Sequence, residues 1–154
     1  MNEPVDAVEL VNELKSRPRA RACVVLTHEY EGQKDWAVEL ARMTDSDHID
    51  LMDCFVQDES LSTKIGEFGV PRLFEFLRGK NKSPVLIISG IEFLKGTWAG
   101  QPTAIDEFGR RLETWSNTPC LLFVMQYDKR LAAYKSTRYQ YRFVIDQKET
   151  LSLK

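Results

Sequence analysis

The sequence predicts an α/β fold: a mainly parallel five-stranded sheet covered by helices on both faces, in three layers. Two observations predict it. The runs "ACVVL", "PVLIIS" and "CLLFVMQ" are apolar throughout rather than alternately, as strands buried on both faces are. Between them lie stretches whose apolar residues recur at helical spacing, and strands alternating with helices indicate a parallel sheet.

The elements follow in order. Residues 4–17 read as a helix with Ala7, Leu10, Val11 and Leu14 on one face, ended by "SRPRAR". "ACVVL" is the first strand, and a helix over 33–43 then presents Trp36, Leu40 and Met43. "HIDLMDCF" reads as a short second strand followed by a polar loop through Ser60. A broken helix covers 61–79, with Pro71 opening its second piece and Val70, Leu73, Phe74 and Leu77 inward. "PVLIIS" is a strand, followed by a short helix or turn over 91–94 and a helix carrying Ile105, Phe108, Leu112 and Trp115 on one face. "CLLFVMQ" and "YRFVID" supply the last two strands, with an edge strand near 150–153. The most continuously apolar segments, 22–26, 85–89 and 121–126, are expected at the centre of the sheet.

The 154 residues are 43 % hydrophobic and 29 % charged, which suits one globular domain with a real core. No apolar run approaches the ~18–20 residues of a membrane helix, and the acidic N-terminus is no signal peptide, so a cytoplasmic protein is expected. A formal charge of -2 leaves room only for a local nucleic-acid surface. Cys23, Cys54 and Cys120 are far apart, with Cys23 and Cys120 in apolar runs that suit core thiols. No metal-ligand spacing is present, and no cofactor or metal is expected.

In such sheets ligands sit beyond the carboxyl ends of the strands. The stretch from Ala22 to Arg42, "ACVVLTHEYEGQKDWAVELAR", has the strand–loop–helix outline of a phosphate-binding loop. That loop needs glycines for close backbone approach, a Lys for phosphate charge and a hydroxyl for Mg²⁺. With Gly32 as the second glycine, the first becomes Thr27, the Lys becomes Gln33 and the hydroxyl position becomes Lys34. Shifting the frame by one residue places Lys34 correctly but puts Asp35 at the hydroxyl. Glu29 and Glu31 would each repel a triphosphate by roughly 1 kcal/mol or more. The strand "PVLIIS" ends in Ser89 and Gly90 where a metal-binding acid and a catalytic Glu are needed, with Glu92 two residues on. Gln126, ending "CLLFVMQ", occupies the place of a polar γ-phosphate sensor. Loss of the lysine, hydroxyl and metal carboxylate together points to a fold kept without its chemistry. Thr27, Gly32, Gln33, Lys34, Ser89, Glu92 and Gln126 are thus a vestigial site.

The order of pieces over residues 22–146 resembles the RecA/AAA-like P-loop fold. Within it, "SGIEFL" (Ser89 to Leu94) and "RYQYR" (Arg138 to Arg142) resemble stretches of the BrxF family of type 3 BREX bacteriophage-exclusion systems. The resemblance implies an accessory subunit of a bacterial DNA-handling or phage-defence complex, working with protein partners and with possible DNA contact. The absence of Gly-Lys-Ser/Thr and of the metal Asp argues against inherited ATP binding, and a weak ATP-binding or ATPase subunit with an atypical loop is the alternative.

Two other classes fail. Thr27 and Ser89 stand where a phospho-acceptor receiver needs acids, and there is no G-x-S-x-G elbow for a hydrolase. Two surfaces remain open. "LKGTWAGQPT" places Trp98 among small and polar residues, as an interface anchor or a core residue. "YDKRLAAYKSTRYQYR", from Tyr127 to Arg142, sets Lys129, Arg130, Lys135, Arg138 and Arg142 against Asp128, with Tyr127, Tyr134, Tyr139 and Tyr141 interleaved. Cations that neutralise phosphates beside stacking rings make a nucleic-acid surface; a solvated helix with an edge strand is the alternative.

Overall fold

The computed structural model of the chain describes residues 4–28, 31–78, 83–98, 103–134 and 143–153. The elements run α1 (Ala7–Ser16), β1 (Ala22–Thr27), α2 (Gln33–Thr44), β2 (Asp47–Asp50), α3 (Leu51–Gln57), α4 (Glu59–Thr63), α5 (Val70–Leu77), β3 (Val85–Ser89), α6 (Glu92–Thr97), α7 (Ala104–Thr114), β4 (Cys120–Gln126), α8 (Lys129–Ala132) and β5 (Val144–Asp146). The strands form one five-stranded sheet in the order β2-β3-β4-β1-β5. Every pairing is parallel. The three continuously apolar strands occupy its centre, as their composition demands.

Side chains alternate across the sheet, so each central strand feeds two cores. Cys23 and Val25 of β1 join Leu10, Val11 and Leu14 of α1 and Ala37 and Leu40 of α2. Ala22, Val24 and Leu26 face the other layer, where Leu73, Phe74, Phe108, Leu112 and Phe123 pack. Phe74 is the hub of that layer, lying 5.6 Å from the rings of both Phe108 and Phe123 and 5.8 Å from Trp115.

Four expectations need correction. The second strand is only Asp47–Asp50, and the expected polar loop is helical. The Asp50 carboxylate accepts from the Asp53 amide and starts α3, while Asp58 accepts from Ser60 and Leu61 and starts α4. Capping acids thus cut an apolar run that reads as continuous. The edge strand expected over 150–153 reduces to one parallel bridge between Val5 and Thr150. Trp115 lies just past the end of α7, where its Nε1 donates to the Pro119 carbonyl at 2.8 Å. Met43 is only half-buried, and Ala37, Leu40, Ala41 and Thr44 form the inner face of α2 instead. Among the described residues, no helix is long and apolar enough to cross a membrane.

The chain leaves β1 toward α2 on one face and leaves β4 toward α8 on the other. β1 and β4 are neighbours, in register from Ala22–Leu121 to Thr27–Gln126. A crevice at the carboxyl ends of two such strands is where parallel sheets bind ligands.

Candidate functional site

Four of the residues singled out in the sequence meet at that crevice. Thr27 closes β1 with its hydroxyl donating to the Met125 carbonyl at 3.3 Å. Gly32 then takes a left-handed conformation (φ 83°) and starts α2 without a side-chain cap. Gln33, the first helical residue, is only 4 % exposed. Its Nε2 donates to Thr27 Oγ1 and to Glu92 Oε2, both at 3.1 Å. Glu92 opens α6, and the same Oε2 also accepts the backbone amide of Gln126 at 2.7 Å. Thr27, Gln33, Glu92 and Gln126 are therefore one hydrogen-bonded cluster that ties the ends of β1 and β4 to the first turns of α2 and α6. Glu92 Oε1 is buried with no hydrogen-bond partner among the described residues.

Ser89 and Lys34 belong to a second group. The Ser89 hydroxyl donates to Asp50 Oδ2 at 2.9 Å and lies 2.9 Å from His48 Nε2. Burial lowers the His48 pKa, against the pull of the nearby Asp50 carboxylate. Gly90, at φ 71°, lets the chain turn directly beneath the Asp50 carboxylate. Lys34 is drawn to Asp53 at 2.5 Å, on a surface where both side chains are about half exposed. That hydrogen bond raises the Lys34 pKa.

The open space beside these residues, about 460 Å³, is lined by Glu31, Asp35, Asp50 and Asp53 as well as Lys34. A triphosphate there meets four carboxylates, each repelling it by roughly 1 kcal/mol or more at short range. Helix α2 offers three uncapped amides, which favour an anion. The carboxylates around them favour a cation, and the single lysine is already engaged. Among the described residues, no group of His, Cys, Asp and Glu is arranged to hold a metal ion.

Asp50, Asp53 and His48 were not foreseen. The signal for them was the acidic end of "HID", one strand away from Ser89 in the same register, Asp50 with Ser89. A further pair was also missed. His28 Nε2 lies 2.8 Å from Asp146 Oδ2, and its ring stacks on Tyr127 with centroids 4.9 Å apart. Burial alone would raise the Asp146 pKa, but the hydrogen bonds from His28 and the Lys148 amide outweigh it and hold the carboxyl below its ordinary value.

The two outlying surfaces change character. Trp98 is 3 % exposed, donates from Nε1 to the Phe68 carbonyl at 3.3 Å and packs 6.2 Å from the Phe108 ring. It belongs to the core and is no interface anchor, because the short helix α6 turns it inward. Lys129 and Arg130 form the first turn of α8 and are exposed. Arg130 faces Asp106 of α7 at 3.9 Å, and Lys95 of α6 pairs with Asp128 at 3.2 Å. The local charge is thus more balanced than the linear sequence suggests. Lys135, Arg138 and Arg142 lie outside the described residues. Compared with protein-family models, with curated proteins and with solved structures, the chain matches none of them.

Proposed function

We propose that this chain is a non-catalytic, P-loop-like accessory subunit that acts through protein partners. The observation that carries the reading is the Gln33 amide. It stands where a phosphate-clamping lysine belongs, yet it is spent inside the fold on Thr27 and Glu92. Lys34, the next cation, is held by Asp53. Ser89, at the metal-carboxylate position, spends its hydroxyl on Asp50. Phosphoryl transfer depends on a charge clamp and a metal ligand placed together, and the engagement of Gln33, Lys34 and Ser89 within the fold supports a subunit without that chemistry. The resemblance carried by "SGIEFL" and "RYQYR" extends the proposal to a bacterial DNA-handling or phage-defence complex.

Isothermal titration with Mg²⁺-ATP tests the chemical half. The expected result is no saturable heat at millimolar nucleotide. Micromolar binding, with turnover lost on substitution of Lys34 or Glu92, would overturn it.

A second reading is favoured by the stacked His28–Tyr127 pair. Tyr127 is 42 % exposed and adjoins Lys129 and Arg130. Rings beside cations suit single-stranded nucleic acid. Charge reversal at Lys129, Arg130 and Arg138 should then weaken DNA binding and flatten its salt dependence, while unchanged binding and slope would remove this reading.

A further inference from the structure

The hydrogen bonds of Glu92 are unequal. One carboxylate oxygen, Oε2, takes two donors, Gln33 Nε2 at 3.1 Å and the Gln126 amide at 2.7 Å. The other, Oε1, is buried and takes none among the described residues. A carboxylate that served only to brace α6 would gain by pairing both oxygens, since a buried polar atom left unpaired costs its full desolvation.

Both donors are placed without help from Glu92. The Gln33 side chain is 4 % exposed, and its Nε2 also donates to Thr27 Oγ1 at 3.1 Å. Thr27 in turn donates to the Met125 carbonyl, so β1 and β4 together orient the Gln33 amide. Gln126 lies in register with Thr27 at the end of β4, and the next residue, Tyr127, donates its backbone amide to the Thr27 carbonyl at 2.7 Å. The fold therefore aims two N–H groups at one spot beyond the carboxyl ends of β1 and β4. Neither donor is charged, so the pair suits one negative charge. Gln126 is exposed, which leaves that side of the spot open to solvent.

From this geometry we propose that Gln33 and the end of β4 form a binding site for a carboxylate group, and that Glu92 occupies it from within the chain and keeps it closed. A tethered carboxylate outcompetes free ones because its effective concentration is far higher. A carboxylate from outside enters only when the Glu92 side chain is absent or drawn away. The proposal rests on the reading of this crevice as one without phosphoryl-transfer chemistry, and deepens it: the amide at the lysine position serves the chain's own anion.

The test uses the full chain and sodium formate, with sodium chloride at equal ionic strength as the reference. Glu92→Ala removes the occupant and should lower Tm. Formate should then raise that Tm saturably, by about 3–6 °C at about ten times its dissociation constant. Wild type should show no such rise, nor should Glu92→Gln, whose amide oxygen keeps both donors engaged. Glu92→Ala combined with Gln33→Leu, which removes one donor, should lose the rise. If Glu92→Ala is unfolded, recovery of its circular dichroism on adding formate is the equivalent readout. No saturable formate effect on Glu92→Ala overturns the inference, as does an equal effect on wild type, on Glu92→Gln or on the double variant. Inorganic phosphate brings more charge than two neutral donors balance and should do no more than chloride. A phosphate effect as large as that of formate overturns the carboxylate assignment. Mg²⁺-ATP is titrated separately into wild type. Binding there defeats the non-catalytic reading, whereas no binding together with no formate effect leaves that reading intact and removes only this inference.

Discussion

Replacing Gly90 by alanine should destabilise the protein by about 3 kcal/mol, through the strand end that holds Ser89. Two costs contribute. Gly90 has φ 71°, and an L-residue held in the left-handed region costs roughly 1–2 kcal/mol. The added Cβ would also fall 2.6 Å from Asp50 Cγ and inside contact distance of both carboxylate oxygens. Asp50 has a short side chain fixed at both oxygens, accepting from Ser89 Oγ at 2.9 Å and from the Asp53 amide at 3.1 Å. Turning it away loses a helix cap and a hydrogen bond to a charged group, about 1 kcal/mol each after solvent replaces part of the loss. For a chain of this size the total corresponds to a fall in Tm of about 6–12 °C. Urea unfolding followed by circular dichroism gives the free energy. Gly96→Ala is the control, because its Cβ meets nothing within 4 Å and helix propensity favours Ala by up to ~1 kcal/mol. In an Asp50→Ala background the cost of Gly90→Ala should drop to the backbone part alone. A Gly90→Ala effect below about 0.5 kcal/mol, the scale of ordinary surface changes, would refute the reasoning. So would an effect of the same size with and without Asp50.

Three further outcomes are expected. Gln33→Leu should cost about 1–2 kcal/mol by removing a donor from the Glu92 carboxylate, whereas Gln33→Lys, which restores a donor, should unfold at a urea midpoint close to wild type. Gly109→Ala should destabilise despite improving helix propensity, because its Cβ would meet the Tyr134 ring at 2.8 Å and lift the hydroxyl from Glu113; a rise in Tm would contradict this. Burial, then the hydrogen bond to Glu113, pushes the Tyr134 pKa from 10.0 up to about 12. A raised folded pKa contributes stability that is complete below the unfolded value and is lost as pH rises through the folded one. Wild type should therefore lose stability between pH 10 and about 12 more steeply than Tyr134→Phe, and parallel pH profiles would count against the assignment.

Much of the sheet is legible in the residues themselves. β1, β3 and β4 are continuous apolar runs, and only a strand covered on both faces uses such a run, so their central place follows from composition. The inward face of α5 likewise follows from the spacing of Val70, Leu73, Phe74 and Leu77. The stretch from Leu51 to Ser60 differs from its sequence reading although its signals are local, because "HIDLMDCF" carries the apolar content of a strand while Asp50 and Asp58 act as caps.

The residue types at this crevice also belong to the sequence: that Gln33 and Ser89 stand where a phosphate loop would need a lysine and a metal-binding acid is visible without coordinates. What those side chains do instead belongs to the tertiary structure. Gln33 and Glu92 are 59 positions apart and meet because parallel crossovers deliver α2 and α6 to the same end of the sheet. Asp50 reaches Ser89 because β2 pairs in register with β3. Trp98 sits among polar residues in the chain and is buried only because Phe68 and Phe108, from distant elements, close over it. A hydrogen bond or ring contact of this kind requires two groups within a few ångströms. Sequence periodicity fixes which face of its own element a residue occupies, but only the packing of elements fixes what lies opposite.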